Sequence, residues 1–153
     1  MSVQTIRYAE ELHAGRSLIA PTVGSSMQPL LQQGKTRVVL VPLSRPIKKG
    51  DLPLYMRPSG EYVLHRVVRV KDGVCYMRGD HCYEPAERVE KAQLLGVVES
   101  VIREDGSSFP VTALGYRLYA AVWMGSYPLR FVWNVLRHPR SHFHAFWAKK
   151  EHR

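Results

Sequence analysis

The chain has 153 residues, of which 45% are hydrophobic and 23% charged, and its formal net charge is +9 at neutral pH. This length suits one compact domain with an appendage, and the composition excludes a disordered chain. The two cysteines, Cys75 and Cys82, are too few and too close in sequence for a disulfide-rich scaffold, so we expect free thiols.

The first half of the chain is predicted to begin with a helix and continue as strands. Thr5 can cap a short helix that ends near His13 and packs on a sheet. Extended apolar runs then predict three strands, over 16–23, 36–42 and 52–57. Pro53 cannot donate to a strand ladder, so we place its strand at an edge or a bulge, where an extended peptide could pair with it.

A long hairpin is predicted around Asp72-Gly73, the strongest short turn signal in the chain. Its strands cover 61–71 and 74–78. A two-residue loop in this hairpin places His65 opposite Asp80, with Cβ atoms about 4.5–5.5 Å apart, close enough for a hydrogen bond between imidazole and carboxylate. A β-bulge within so long a hairpin would shift this register and separate the two side chains.

The remaining chain predicts further sheet and then helices. A loop over 81–90 precedes a strand over 92–102 and a turn over 104–108, which together complete a sheet of six or more strands. From residue 112 the periodicity is helical. We therefore predict a mainly β domain over 1–111 with a short N-terminal helix, followed by a basic amphipathic helical tail over 112–153.

The predicted tail is basic on one side and apolar on the other. From residue 116 onward it has seven Lys or Arg and one acidic residue, and Leu129, Val132, Trp133 and Leu136 recur at helical spacing. One interpretation is an anchor on an anionic membrane surface. In the other, the aromatic residues cover the sheet and the charges face water.

Ser26 is the candidate nucleophile because it lies on a predicted tight turn between two apolar runs. A serine hydroxyl needs a base and an oxyanion donor to act as a nucleophile at neutral pH. His65 is the candidate base and Asp80 the candidate orienting carboxylate. The structural alternatives are that Ser26 caps the following turn, that His65 is a satisfied polar residue on a half-buried strand, and that Asp80 caps its own turn.

Four short motifs in order resemble the type I signal peptidase family and its relatives, the self-cleaving SOS repressors. They are Gly24-x-Ser26-Met27-x-Pro29, Lys49-Gly50-Asp51-Leu52 with Leu54-Tyr55, His65-Arg66-Val67-Val68, and Arg78-Gly79-Asp80. The histidine in place of a lysine base is similar to the endoplasmic-reticulum and archaeal branch of that family.

The resemblance implies a signal-peptidase-like coiled β-sheet core and a serine endopeptidase that cleaves a leader or signal-like peptide after small side chains. It assigns Ser26 as nucleophile, His65 as general base and Asp80 as the orienting carboxylate. Many family members hold the oxyanion with a hydroxyl residue where this chain has Gly24, so the Ser26 N–H and the Ser25 hydroxyl are the expected donors. Substrate contacts are expected at Met27, Pro29 and Tyr55.

Two other functions remain open. The chain could be a catalytically silent scaffold that binds peptides or membranes, whereas a self-cleaving repressor is disfavoured because only 23 residues precede Gly24. No cofactor, metal or nucleic acid is expected; His138, His142 and His144 lack the carboxylate or cysteine partner of a recognised metal site. No secretory signal or membrane span is evident, which predicts a cytoplasmic protein, either free or peripheral on the inner membrane face.

Overall fold

The structure is a computed structural model that describes residues 3–137, with side chains described from Tyr8 onward. It is mainly β. The helices are α1 (Val3–His13), α2 (Leu114–Gly125) and α3 (Tyr127–Arg137). The strands are β1 (Leu18–Pro21), β2 (Arg37–Val41), β3 (Pro53–Met56), β4 (Tyr62–Leu64), β5 (Arg66–Lys71), β6 (Val74–Arg78), β7 (Glu87–Val89), β8 (Leu94–Ile102) and β9 (Ser108–Pro110). The expected short N-terminal helix, β domain and C-terminal helices are all present.

A six-stranded antiparallel sheet forms the larger layer. Its strands follow the order β1-β2-β8-β3-β4, and β9 pairs with the far end of β8. Of the two positions predicted for the Pro53 strand, the edge is wrong, because β3 lies between β8 and β4, whereas the bulge is present, because the β3–β8 register shifts between Leu54 and Tyr55. Pro53 is tolerated there because it opens the strand, the position at which a missing amide proton matters least.

A second sheet of three strands, β5-β6-β7, contains the predicted hairpin. The single strand predicted over 61–71 divides at His65, because β4 pairs with β3 while β5 pairs with β6. The region predicted as a loop over 81–90 contains the third strand, β7, paired with β6. His65 therefore occupies the point at which the chain passes from one sheet to the other.

The hairpin register differs from the predicted one by a single residue. The three pairs nearest the turn match the prediction, but a β-bulge in β5 then makes Arg66 the partner of Arg78. The pairing ends there, so His65 and Asp80 lie beyond the last pair of the hairpin. The predicted opposition of His65 and Asp80 is therefore wrong, for the reason that an extra residue in one strand moves every later pair by one.

The main core lies between the larger sheet and two helices. Leu12 of α1, Met27 and Leu31 of the Ser26 loop, and Tyr116 and Ala120 of α2 are buried in one cluster with the sheet residues. The first helix of the predicted tail thus packs into the core of the β domain. A smaller cluster around Tyr55, Val67 and Met77 fills the space beside the second sheet.

The C-terminal helices carry no bilayer-crossing segment within the described range. None of the helices in residues 3–137 has both the length and the apolar character to cross a membrane. The last predicted helical segment, with Phe143, Phe146 and Trp147, lies outside the described residues.

Candidate active site

The loop that carries Ser26 leaves the end of β1 and is fixed on both sides. The Thr22 hydroxyl lies 3.0 Å from the Thr36 carbonyl and 2.8 Å from the Thr36 hydroxyl. Gly24 has a left-handed φ of 82°, a conformation that favours glycine, and its N–H donates to Gln33 Oε1 at 3.0 Å. These contacts present Ser26 half-buried at the surface of the fold.

Ser26 packs directly against the end of the hairpin. Its carbonyl oxygen accepts a hydrogen bond of 2.8 Å from the His81 N–H. A Cβ atom placed on Gly79 would lie 2.5 Å from the Ser26 carbonyl oxygen and 3.0 Å from the Ser26 Cβ, so only glycine fits there. Gly79 directly follows Arg78, whose partner Arg66 directly follows His65, so this contact brings the serine to the end of the hairpin that carries the histidine.

His65 is held in one orientation by a buried tyrosine. Its Nδ1 lies 3.3 Å from the Tyr55 hydroxyl, which in turn donates to Glu87 Oε2 at 2.8 Å. A tyrosine hydroxyl has a single proton, so once it donates to Glu87 its oxygen can only accept from Nδ1–H. This bonding pattern leaves Nε2 as the unprotonated nitrogen, which is the atom that a serine hydroxyl needs as its base.

Arg57 keeps the Glu87 carboxylate charged. Its Nη2 donates to Glu87 Oε2 at 2.7 Å and its Nε to Oε1 at 2.8 Å. These hydrogen bonds lower the pKa of Glu87, while burial and the bond to Glu87 raise the pKa of Tyr55. The tyrosine thus stays protonated at neutral pH, and its hydroxyl lies between the charged Glu87 carboxylate and His65.

Burial keeps the His65 imidazole neutral. Only 9% of the residue is exposed, and its pKa lies below the ordinary value of 6.5, first because of burial and second because of the Arg57 charge. The negative charges of Glu87 and Asp80 oppose this shift without cancelling it. A histidine that is neutral at pH 7 is ready to accept a proton.

The lowered pKa of His65 predicts a loss of stability in mild acid. The unfolded chain binds a proton at this site more readily than the folded one, so the contribution of His65 is complete above pH 6.5 and is lost as the pH falls through and below that value. Urea unfolding measured between about pH 7.5 and 5 should show this decline. The His65→Gln variant should decline less steeply over the same range, and equal slopes would contradict the shift.

Asp80 is bound by Arg66 and not by His65. Arg66 donates its Nε to Oδ1 at 2.7 Å and its Nη2 to Oδ2 at 2.6 Å, and the two side chains are only 1% and 3% exposed. The remaining Arg66 nitrogen donates to the Tyr116 hydroxyl at 2.8 Å. The carboxylate is thus used in a buried ion pair that joins the hairpin to α2, and the predicted orienting contact to His65 is absent.

The sequence did not point to Glu87 because its strand was predicted as loop. Glu87 pairs with Met77 across β6 and β7, and that pairing aims its carboxylate at Tyr55 and Arg57. The three-residue strand has no hydrophobic alternation long enough to detect. The contribution of Tyr55 was also missed, since it depends on the packing of one sheet against the other.

The backbone N–H of Ser26 is available for an oxyanion. In the described part of the chain no group accepts its hydrogen bond, whereas the Gly24 N–H is occupied by Gln33. Ser25 is exposed, and its carbonyl accepts from the Gln28 N–H at 3.1 Å, which tightens the turn beside Ser26. The Ser25 hydroxyl stays the predicted second donor.

Two of the three predicted substrate contacts are buried. Met27 is 4% exposed and packs in the main core, and Tyr55 is fully buried next to His65. Neither side chain is exposed at the surface of the fold. Pro29 is exposed and lines a groove of about 890 Å³ together with Tyr116 and Tyr119.

No alternative chemistry stands out elsewhere among residues 3–137. That range contains no group of three or more His, Cys, Asp or Glu that could hold a metal ion. Cys75 and Cys82 are free, and burial raises the pKa of both thiols, which disfavours the reactive thiolate. The histidines at 138, 142 and 144 lie outside the described residues.

Adding a methyl group at Gly79 should displace Ser26. In Gly79→Ala the new Cβ would meet the Ser26 backbone oxygen at 2.5 Å, so the loop must move. We expect the reactivity of Ser26 to fall and the free energy of unfolding to decrease by about 1–3 kcal/mol. Gly96→Ala is a matched control, because its Cβ would meet the Val41 carbonyl at 2.7 Å away from the serine. It should destabilise similarly but leave turnover per folded molecule unchanged; an equal loss of turnover in both variants would contradict a specific role for Gly79.

The geometry therefore includes a half-buried serine, a neutral histidine and a carboxylate that is hydrogen-bonded to the tyrosine beside the histidine. Such a combination can activate a hydroxyl for attack on a carbonyl carbon. No hydrogen bond joins the Ser26 hydroxyl to His65 within the described residues; bonds of this kind are often long without substrate and tighten when it binds. In comparisons with protein-family models, curated proteins and solved structures, nothing matches this chain.

Proposed function

We propose that this protein is a serine endopeptidase with a signal-peptidase-like core, which cleaves leader or signal-like peptides. The observation that carries the proposal is the packing of Ser26 on Gly79, at the end of the hairpin next to a buried histidine whose Nδ1 lies within hydrogen-bond distance of the Tyr55 hydroxyl. The ordered motifs from Gly24 to Asp80, which resemble the type I signal peptidase family, support the same conclusion.

In the acylation step, Ser26 attacks the scissile carbonyl carbon while His65 Nε2 removes the hydroxyl proton. The resulting imidazolium is stabilised by Tyr55 and, through it, by the Glu87 carboxylate. The Ser26 N–H donates to the developing oxyanion, with the Ser25 hydroxyl as second donor. Collapse of the tetrahedral intermediate breaks the peptide bond, and His65 returns its proton to the leaving amine.

In the deacylation step, a water molecule takes the place of the amine. His65, neutral again, removes a proton from this water as it attacks the acyl carbon. The second tetrahedral intermediate then releases the carboxylic acid product and the proton returns to Ser26. The same histidine nitrogen serves both half-reactions, so its tautomer must stay fixed throughout.

The free edge of β1 offers a place for the substrate backbone. In the described part of the chain β1 pairs only with β2, and it leads directly into the Ser26 loop. Ile19 within β1 and Val23 just after it are 55% and 83% exposed. An extended peptide can add to such an edge with its side chains over these residues. β1 thereby replaces the strand around Pro53 as the proposed docking edge.

Digestion of a peptide library by wild type and by Ser26→Ala tests the proposal. We expect defined cleavage products from the wild type and none from the variant, because the attacking oxygen is gone. Mass spectrometry of the products would identify the bond cut and the preferred residues before it. An unchanged circular dichroism spectrum shows that the variant is folded, and retained cleavage by that folded variant would remove the assignment.

A catalytically silent peptide- or membrane-binding protein is the second candidate. Two observations favour this candidate: no hydrogen bond joins Ser26 to His65 in the described residues, and apolar side chains are exposed at β1. A serine-directed covalent probe separates the two candidates. Labelling of Ser26 would require an activated hydroxyl, whereas a silent protein would bind peptides without reacting.

A further inference from the structure

The outward face of α2 and α3 is covered by large apolar side chains. Seven of them are between 55% and 76% exposed: Leu114, Leu118, Val122, Leu129, Val132, Trp133 and Leu136. Monomeric proteins in water rarely expose so many neighbouring apolar side chains unless the surface binds something.

The seven side chains form one stripe that crosses both helices. At the junction, the Ser126 N–H donates to the Val122 carbonyl at 2.8 Å and the Arg130 N–H to the Ser126 carbonyl at 3.0 Å, so hydrogen bonds with α-helical spacing connect α2 to α3. The seven residues from Val122 to Leu129 amount to about two helical turns, which returns the chain to the same side. We call this surface the apolar stripe.

The opposite side of these helices contacts the rest of the protein. Tyr116 and Ala120 are part of the main core. Trp123 Nε1 and Arg130 Nη1 donate to the Asp80 carbonyl at 3.1 and 2.9 Å. The apolar stripe is therefore a second face, on the side away from the one through which α2 packs in the core and α3 hydrogen-bonds to the Asp80 carbonyl.

The charged side chains of the two helices are all positive, and Arg117 and Arg137 are the two that do not lie on the packed side. Residues 106–137 include no aspartate or glutamate, and their charged side chains are Arg117, Arg130 and Arg137. The α2 helix also lines a groove of about 710 Å³, whose other wall carries Arg45, Lys48 and Lys49. Arg45 is paired with Asp51 at 2.7 Å, whereas neither lysine has an ion pair in the described part of the chain.

We propose that the apolar stripe docks on an anionic lipid bilayer surface. The apolar side chains would lie at the boundary between headgroups and acyl chains, and the lysines and Arg117 would contact lipid phosphates. Trp133, with the Arg137 guanidinium 5.1 Å from its ring centre, has the amphipathic character of side chains at that boundary. A second copy of the chain fits poorly, because pairing two such faces would oppose like charges.

Vesicle flotation with the full-length protein tests this proposal independently of peptidase activity. Wild type should bind phosphatidylcholine vesicles that contain roughly 30% phosphatidylglycerol. Its binding to pure phosphatidylcholine vesicles should be at least about tenfold weaker, and added salt should reduce this difference. The double variant Leu118→Glu/Val122→Glu should bind anionic vesicles at least about tenfold more weakly, since each side chain loses its apolar burial. Lys48→Glu/Lys49→Glu should also weaken binding.

The matched control is Val70→Glu, which places the same charge on an exposed valine of β5, 41% accessible and away from both helices. It should bind as wild type does, and circular dichroism confirms that each variant is folded. The proposal fails if wild type ignores anionic vesicles or if the Leu118→Glu/Val122→Glu variant binds them unchanged. It also fails if sedimentation equilibrium finds a wild-type dimer that this variant dissociates, because the stripe would then be a self-association surface.

Discussion

Replacing Tyr55 by Phe should lower kcat/KM for peptide cleavage by about 10²- to 10⁴-fold. The change removes only the hydroxyl that links His65 Nδ1 to Glu87, at 3.3 and 2.8 Å. The histidine then loses the bond that fixes its tautomer, and the imidazolium loses the nearby negative charge. Glu87→Gln should cause a loss of similar size, and the double variant should be little worse than either single one, because both act through one chain of hydrogen bonds.

Tyr62→Phe is the matched control for this prediction. Tyr62 lies on the neighbouring strand β4 and is half-buried, but its hydroxyl makes no hydrogen bond in the described part of the chain. Its removal should change kcat/KM by less than about twofold, within the scatter of surface substitutions. Wild-type turnover in a folded Tyr55→Phe variant would exclude the tyrosine link.

Replacing Asp80 by Ala should lower the free energy of unfolding by about 3–5 kcal/mol. The substitution leaves the Arg66 guanidinium charged and unpaired, although it is only 1% exposed and loses two hydrogen bonds of 2.6 and 2.7 Å. A buried charge without its partner is strongly unfavourable. Urea unfolding would measure the change. Glu90→Ala, which breaks the exposed pair with Arg88, is the control and should change stability by less than about 1 kcal/mol.

The double variant Arg66→Met/Asp80→Leu separates the stability of Asp80 from its suggested role in catalysis. Removing both charges avoids the unpaired guanidinium, so we expect it to recover part of the lost stability. Because the hydrogen-bond partner of His65 Nδ1 is the Tyr55 hydroxyl and not Asp80, turnover per folded molecule should stay within about tenfold of wild type. A loss near 10⁴-fold would return the orienting role to Asp80.

Most strands could be predicted because their signals are local. The strands that begin at Leu18, Arg37 and Pro53 lie within the predicted segments, and the turn at Asp72-Gly73 is where the hairpin was expected. The Asp72 φ of 51° shows the backbone conformation that makes this residue pair typical of hairpin turns. Alternation and turn residues need no knowledge of tertiary contacts.

The pairing of His65 could not be predicted because a bulge leaves little trace in a β-branched run. Val68 is as good a strand residue as its neighbours, so nothing in the sequence marks the extra residue. The consequence is large. After a shift of one residue in register, Asp80 forms its ion pair with Arg66, and His65 contacts Tyr55. The ion pair could have been suspected only from the rule that a buried arginine needs a carboxylate.

The helical tail was predicted as a pattern, but its two faces were not assigned. Periodicity identified the apolar positions of α3, yet it could not tell that α2 would bury Tyr116 and Ala120 in the core and leave Leu118 and Val122 exposed. Which side of a helix meets the protein depends on the long-range packing of Tyr116 against Arg66. An amphipathic pattern alone does not identify the surface that its apolar face meets.

Reaction of the protein with a fluorophosphonate, followed by peptide mapping, tests most directly whether Ser26 and His65 act together. The account predicts a single adduct on Ser26 that is absent in Ser26→Ala and forms at least about 100-fold more slowly in folded His65→Gln, because the base that removes the hydroxyl proton is gone. No adduct on Ser26, or equal rates with and without His65, would contradict it.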